Sequence, residues 1–124
     1  MKIIVAGTRY FEDYNKVKET LDNLLEKNIL TSIISGGAKG ADFLGEKWAK
    51  EHNIPLEIFS AEWEKYGKKA GMLRNKEMGD EGDMLVAFWD GNSKGTYHMI
   101  EYMKKLKKPI KIIKYNEINL DEEW

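Results

Sequence analysis

The sequence predicts an α/β fold, in which a mainly parallel five-stranded sheet lies between two layers of helices. Short apolar runs alternate with segments of helical periodicity along the chain, and this alternation is typical of parallel sheets. The chain has 124 residues, 42% of them hydrophobic and 33% charged, which is the size and balance of one folded domain. No Pro-, Ser- or Gly-rich linker divides it. We therefore expect a single domain over residues 1–124.

Five strands are predicted from apolar or β-branched runs that are bounded by turn residues. They are Ile3–Ala6, Thr31–Ser35, Leu56–Phe59, Asp83–Trp89 and Pro109–Ile113. Four helices are predicted from apolar residues that recur every three or four positions. They lie around Val17–Leu25, Ala41–Asn53, Lys68–Asp80 and Thr96–Leu106. The segment 61–67 is expected to be irregular, and a short acidic tail, 121–123, is expected to fray beyond a core of about residues 2–113.

Right-handed crossovers favour the strand order 3-2-1-4-5, which is a Rossmann-like three-layer sandwich. Ligands of such sheets bind beyond the carboxyl ends of the strands, beside the point where the strand order reverses. Here that point falls between strands one and four. The loops expected at the site are therefore Gly7–Arg9, Gly36–Gly40 and Asp90–Thr96.

Charge and composition exclude several classes of protein. Twenty basic and twenty-one acidic residues leave a net charge of -1, whereas a dedicated duplex-DNA binder needs a surplus of Lys and Arg. The absence of cysteine excludes disulfides, a thiol nucleophile and Cys-ligated metals. No apolar run approaches the ~20 residues needed to cross a bilayer. We expect a cytoplasmic protein with no membrane partner, with nucleic acid an unfavoured partner.

The segment Gly36-Gly37-Ala38-Lys39-Gly40 follows a predicted strand and opens a helix. Backbone amides in such a turn can approach an anion, and the helix start adds about half a positive charge. Lys39 would supply a full charge, while Asp42 could cap the helix or hold a ribose hydroxyl. The pattern is neither G-x-G-x-x-G nor a Walker A motif. The alternative is a plain tight turn with Asp42 as its N-cap.

A second loop with the same character follows the fourth strand. Asp90 and Gly91 open it, and Ser93, Gly95 and Thr96 lead into the next helix. Thr96 could be the N-cap of that helix, or it could meet a second phosphate or a ribose together with the amide of Gly95. Capping alone would also explain Thr96.

The chain's two arginines both lie beside these loops. Arg9 directly follows Gly7-Thr8, where its guanidinium could grip a phosphate through two hydrogen bonds. A surface salt bridge to a nearby carboxylate, Glu12 or Asp13, explains it equally well. Arg74 and Asn75 lie on the third helix, where the alternative is a solvated basic face.

The remaining aromatic and basic side chains divide between the core, the surface and the site. Four aromatic residues are expected in the core: Trp48, Phe59, Phe88 and Trp89. Three others lie in irregular segments and could stack on a base: Tyr10, Trp63 and Tyr66. His98 is expected on a helix surface. Lys104, Lys105, Lys107 and Lys108 are expected to favour the dipole of the helix that they end.

Four ordered blocks of the chain carry a resemblance to a known family. The blocks are Gly7–Asp13, Gly36–Asp42 with Trp48-Ala49, Glu62-Trp63 to Met78, and Ala87–Gly91 to Ile100. They resemble the small YspA-like, YpsA-related branch of the SLOG superfamily, named for Smf/DprA and LOG proteins and common in bacteria and their phages. The resemblance implies a nucleotide-derived ligand at the strand ends and a homodimer or homotetramer.

Enzymatic LOG relatives, which hydrolyse the N-glycosidic bond of modified AMP, depart from this chain at two positions. Their pattern has an arginine–lysine pair, then Gly-Thr followed three residues later by a catalytic glutamate. Arg74 matches, but Asn75 stands at the lysine position and Met99 at the glutamate position. Losing that carboxylate removes the group that would stabilise an oxocarbenium-like state. The departure favours binding over catalysis.

Three functions remain open at this stage. The favoured one is a domain that binds a nucleotide or an ADP-ribose-like derivative in order to sense or sequester it. The first alternative is a LOG-like phosphoribohydrolase with Arg74 orienting the phosphate and Asp42 or Asp90 as the carboxylate, and the second is a DprA-like DNA-associated protein. No cofactor is required and no metal site is predicted, although Mg²⁺ could bridge phosphates to either Asp. The predicted ligand-binding residues are Gly7, Thr8, Arg9, Gly36, Gly37, Ala38, Lys39, Gly40, Asp42, Arg74, Asn75, Asp90, Gly91, Ser93, Gly95 and Thr96.

Overall fold

The structure is a computed structural model that describes residues 1–115. The predicted tail at 121–123 lies outside the described residues. Residues 1–115 form five strands: β1 Lys2–Gly7, β2 Ser32–Ser35, β3 Leu56–Ile58, β4 Met84–Trp89 and β5 Ile110–Lys114. Their order is β3-β2-β1-β4-β5, and every neighbouring pair is parallel. The predicted α/β sheet and its strand order are confirmed.

The reversal of strand order falls between β1 and β4, as predicted. Within this strand, Ile3 pairs with Ile33 of β2 on one side and with Met84 of β4 on the other. The chain therefore winds outward from the centre of the sheet in both directions, and sheets of this kind bind ligands beside the strand ends at this point.

The helices are α1 Tyr14–Glu26, α2 Ala41–Glu51, α3 Trp63–Tyr66, α4 Ala70–Glu81 and α5 Lys94–Lys105. The expectation of an irregular segment at 61–67 is wrong, because α3 lies within it. Four residues make little more than one turn, too few for a periodic pattern to appear. A 3-10 turn, Gly67–Lys69, joins α3 to α4.

The core consists of two apolar clusters, one on each face of the sheet. Because side chains alternate along a strand, Ile3 and Val5 join the cluster formed with α1 and α2, whereas Ile4 joins the cluster formed with α4 and α5. Among the aromatic residues predicted in the core, Trp48 and Phe88 are fully buried. Phe59 and Trp89 are only partly buried and pack against the second cluster.

Lys108 stabilises a different helix from the one that we predicted. Its Nζ atom donates to the carbonyls of Gly79, Asp80 and Gly82, at 2.7, 3.1 and 2.8 Å. These carbonyls belong to the end of α4, where the last C=O groups lack helical partners. The positive φ of Lys107, 58°, coincides with the end of α5. Lys108 therefore caps α4 rather than its own helix.

Within residues 1–115, none of the helices has the length and apolar content required for a transmembrane span.

Candidate functional site

The three predicted loops meet at the carboxyl edge of the sheet. The carbonyl of Thr8 accepts a hydrogen bond from the amide of Ala41 at 3.3 Å, and Thr8 Oγ1 accepts one from the amide of Asp90 at 3.2 Å. Gly40 has a φ of 75°, and a Cβ atom there would lie 2.3 Å from the Thr8 carbonyl oxygen. Only glycine therefore allows the first two loops to pack backbone against backbone.

Gly7 makes a comparable approach at the end of β1. A Cβ atom at this position would lie 2.2 Å from the carbonyl oxygen of Phe88 and 2.7 Å from Cβ of Ala41. The end of β1 is thus pressed between β4 and the start of α2. This close packing brings the loops together.

Asp42 holds the glycine-rich loop in shape. Its side chain is buried, and Oδ2 accepts hydrogen bonds from the amides of Gly36 and Ala38 at 3.1 and 3.3 Å. The amide of Gly37 donates to Oγ of Ser35. Three amides that we predicted to face a phosphate are therefore paired within the chain. The alternative in which Asp42 is the N-cap of α2 is wrong, because the N-cap residue is Gly40.

The charge state of Asp42 is shifted by its surroundings. Burial raises the pKa of its carboxyl to about 6, although the amides of Ala38 and Gly36 and the charge of Arg74 act in the opposite direction. The buried carboxyl group of this loop therefore ionises closer to neutral pH than an exposed aspartate does.

Arg74 reaches from α4 to the same loop. Its Nη1 atom donates to the carbonyl of Gly36, and its Nε atom donates to Oδ1 of Asn75 at 3.2 Å. A Cβ atom on Gly36 would lie 2.6 Å from Nη1, so a side chain there would displace the guanidinium. Among the described residues, Nη2 of Arg74 has no hydrogen-bond partner, so one edge of the guanidinium remains available.

Asn75 connects Arg74 to the second loop. Its Nδ2 atom donates to the carbonyl of Gly95 at 3.2 Å and lies 3.3 Å from Nδ1 of His98. The donor on Arg74 and the acceptor on Gly95 together fix the orientation of the amide. Nδ1 of His98 must then accept, which places the proton of the neutral ring on Nε2.

His98 thus contacts a predicted site residue, although we expected it on a helix surface. It is partly buried, and burial followed by the charge of Lys76 lowers its pKa. The signal that could have identified it is its position three residues after Gly95, on the same side of α5.

The second loop is shaped by Asp90 and Ser93. Oδ1 of Asp90 accepts from the amides of Asn92 and Ser93 at 2.8 and 2.9 Å. Burial acts to raise the pKa of Asp90, but these two amides and the Thr8 hydroxyl outweigh it and lower the pKa below its usual value. Both candidate catalytic carboxylates therefore serve loop structure.

The start of α5 differs from the prediction by two residues. Ser93 is the N-cap, and its Oγ atom accepts from the amide of Thr96 at 3.4 Å. The alternative in which Thr96 is the N-cap of the helix is therefore wrong. Thr96 lies in the first turn, is buried, and has its Oγ1 atom 3.1 Å from Ser93 Oγ.

Several polar groups at this edge have no partner in the part of the chain that the structure describes. Arg9 and Lys39 are exposed, and neither forms a hydrogen bond or an ion pair there; the alternative of an Arg9 salt bridge to Glu12 or Asp13 is not found. The unpaired backbone amides at the helix starts belong to Asp42 and Phe43 in α2 and to Lys94 and Gly95 in α5. These cationic side chains and amides are the groups that an anion would meet.

A depression also lies beside this edge rather than on it. It is open to solvent, and residues 61–65 line it. Of the aromatic side chains expected to stack on a base, Trp63 is 60% exposed, Tyr66 44% and Tyr10 79%. The depression does not include the predicted phosphate loops.

The fold and the loops together define a Rossmann-like domain with a polar, glycine-shaped strand edge. A family model described as the YspA, cpYpsA-related SLOG family (YAcAr) matches residues 1–66. The Gene 61 protein of Mycobacterium phage D29 is 35% identical over 116 residues, covering 88% of this chain and 93% of the phage protein. The chain therefore belongs to this SLOG family, as the sequence blocks predicted. No solved structure gives a significant match.

Membership of this family indicates a nucleotide-related domain. The name of the phage relative specifies no activity.

Proposed function

We propose that this domain binds an anionic nucleotide or nucleotide derivative at the carboxyl edge of its sheet. The observation that carries the proposal is that two side chains of α4 form hydrogen bonds to the loops that follow β2 and β4. Arg74 bonds to the carbonyl of Gly36, and the adjacent Asn75 bonds to the carbonyl of Gly95. The two neighbouring side chains thereby tie together the loops at which a Rossmann-like sheet binds its ligand.

The groups proposed to hold the anion differ from those that the sequence suggested. Because the amides of Gly36 and Ala38 are paired with Asp42, the unpaired amides of Asp42 and Phe43 take their place. The partial positive charge at the start of α2 favours an anion there. The free edge of Arg74, with the exposed Lys39 and Arg9, would supply full charges.

The start of α5 would hold a second polar group of the ligand. The amides of Lys94 and Gly95 are unpaired, and no atom lies within 4 Å of the place where a Gly95 side chain would be. A phosphate oxygen or a ribose hydroxyl could therefore approach the backbone closely at Gly95.

The burial and hydrogen bonds of three side chains favour binding over hydrolysis. Met99, at the position of the catalytic glutamate in LOG enzymes, is 1% exposed and belongs to the core cluster between the sheet and α5. Asp42 and Asp90 accept hydrogen bonds from loop amides. We therefore propose a role in sensing or sequestering the ligand.

Titration calorimetry tests the proposal with AMP, ribose 5-phosphate and ADP-ribose as ligands. Lys39→Ala removes an exposed charge without removing a contact, and we expect it to weaken binding about fivefold, the effect of one charge at about 4 Å in water. The matched control is Lys50→Ala at the other end of α2, which is also exposed and unpaired among the described residues. No binding of any of these ligands at millimolar concentration would contradict the proposal.

A LOG-like phosphoribohydrolase is the second candidate, and one observation favours it. The pKa of Asp42, raised to about 6 by burial, suits a group that exchanges protons near neutral pH. Chromatography of AMP incubated with the protein tests this candidate. Release of adenine that is lost in Asp42→Asn would establish it, and the absence of free base would remove it.

Mg²⁺ and self-association complete the proposal. Among residues 1–115, no group of three or more His, Asp or Glu side chains is arranged to hold a metal ion. We propose Mg²⁺ only as a companion of the ligand's phosphates, so that EDTA weakens binding of a diphosphate more than of a monophosphate. We further propose a homodimer or homotetramer, which light scattering after size-exclusion chromatography tests.

A further inference from the structure

The depression lined by residues 61–65 differs in chemistry from the proposed anion site. Its central side chain, Trp63, is a large aromatic group that leaves 60% of its surface in solvent. Glu62 and Glu64 flank it, and Glu62 forms an exposed pair with Lys65 at 3.9 Å. Acidic and aromatic groups of this kind disfavour a phosphate and suit an uncharged ring that carries hydrogen-bond donors.

The depression adjoins the anion site through α4. A Cβ atom on Gly71 would lie 3.3 Å from Cη2 of Trp63, so the edge of the indole rests against this glycine. Gly71 and Arg74 are three residues apart on α4 and therefore share a face of the helix. The residue that the indole touches and the residue that carries the guanidinium thus lie about one turn apart along α4.

A second connection runs through the glycine-rich loop. A Cβ atom on Gly37 would lie 3.2 Å from Cγ2 of Ile58 and 3.8 Å from Oγ of Ser60. Ser60 directly precedes Ala61, the first residue of the depression. The glycine-rich loop therefore contacts the residue that directly precedes the depression in the chain.

We propose that this depression is the subsite for the base of the nucleotide, which stacks on the indole of Trp63; this inference rests on the proposed function. A nucleotide has a charged phosphate end and a planar, uncharged base. The anion site suits the phosphate, and the neighbouring depression suits the base. Arg74, Lys39 and the helix starts face the phosphate end, while Trp63 receives the ring. Glu62 and Glu64 also line the depression, and their carboxylates would accept hydrogen bonds from an exocyclic amino group such as those of adenine, cytosine and guanine.

The experiment compares AMP with ribose 5-phosphate, which has the same phosphate and sugar but no base. In the unaltered protein we expect AMP to bind about tenfold more tightly, the effect of one base–aromatic stack. Trp63→Ala should abolish this preference and leave the affinity for ribose 5-phosphate unchanged. Trp63→Phe, the conservative variant, should restore most of it.

Fluorescence provides a second readout that a purely structural role would not change. AMP should quench the emission of Trp63, whereas ribose 5-phosphate should not, and the quenching should disappear in Trp63→Ala. Because the side chain is mostly exposed, the variant should unfold at the same urea concentration as the original protein.

The possible results separate this inference from the proposed function. Equal binding of AMP and ribose 5-phosphate overturns the base subsite but supports the anion site. Binding of neither ligand overturns both. A smaller molecular mass for Trp63→Ala than for the original protein, with no change in the preference for AMP, assigns Trp63 to an interface between copies and also overturns the base subsite.

Discussion

Replacing Asp42 by Asn tests how the glycine-rich loop is held. Both amides that contact Asp42 donate to a single oxygen, Oδ2, and the amide oxygen of an asparagine side chain can accept both. The substituted side chain keeps these hydrogen bonds but cannot ionise. The variant therefore separates the loop contacts from the energetic cost of a buried charge.

The magnitude follows from the pKa of Asp42, which burial raises from 3.8 to about 6. At roughly 1.4 kcal/mol per pKa unit, ionisation in the folded state costs about 3 kcal/mol of stability. Because the pKa of Asp42 is higher in the folded state than in the unfolded state, the protonated carboxyl contributes its full stability below pH 3.8. This contribution is lost as the pH rises through about 6. Roughly 2 kcal/mol of the loss falls between pH 4.5 and pH 8.

Urea unfolding at several pH values measures this difference. We expect the free energy of unfolding of Asp42→Asn to gain about 2 kcal/mol relative to the original protein between pH 4.5 and pH 8. The control is Asp22→Asn, because a hydrogen bond from Lys18 lowers the pKa of Asp22. Over this pH range that variant should differ from the original protein by a nearly constant amount, because the stability that a lowered pKa contributes is already present above pH 3.8. A constant difference between Asp42→Asn and the original protein across this range would refute the reasoning.

Three further predictions concern the cap at the end of α4, the tautomer of His98 and the start of α5. Lys108→Met removes the three hydrogen bonds that cap α4 and should lower the free energy of unfolding by about 2 kcal/mol. The control Lys105→Met, at an exposed residue of α5, should change the free energy of unfolding by less than about 0.5 kcal/mol. Equal effects of the two variants would contradict the capping role of Lys108. Nitrogen NMR should show neutral His98 protonated on Nε2, a preference that Asn75→Ala removes, and a proton on Nδ1 would contradict the hydrogen-bond network. Gly95→Ala has room for its methyl group and should raise the free energy of unfolding by roughly 0.5–1 kcal/mol. If a ligand approaches this backbone, the same variant should bind the ligand about tenfold more weakly. Unchanged binding would show that Gly95 is not part of the site.

Most of the fold could be predicted because its strands carry strong local signals. Ile3–Ala6 and Met84–Trp89 are nearly continuous apolar runs, and connection rules then leave few possible strand orders. The short helix α3 could not be predicted, since its four residues contain no repeated period. Ser93 and Thr96 are both favourable N-caps, so sequence alone does not decide between them.

The candidate site was predicted at the level of loops but not of individual contacts. The glycines identified the loops because Gly7 and Gly40 lie where no Cβ atom fits. The pairing of Asp42 with Gly36 and Ala38 depends on the path of the chain between them. The contact of His98 with Asn75 depends on how α4 packs against α5. Interactions between elements leave no periodic mark in the sequence, which explains why these contacts were missed.

Amide chemical-shift mapping with AMP is the most direct measurement of the central claim. If an anionic ligand binds where α2 and α5 begin, the largest shifts on titration will belong to the backbone amides of Lys39–Phe43 and Lys94–Gly95. The side-chain Nε resonance of Arg74 will move with them. Shifts confined to other surfaces, or no shifts at millimolar AMP, would contradict the account.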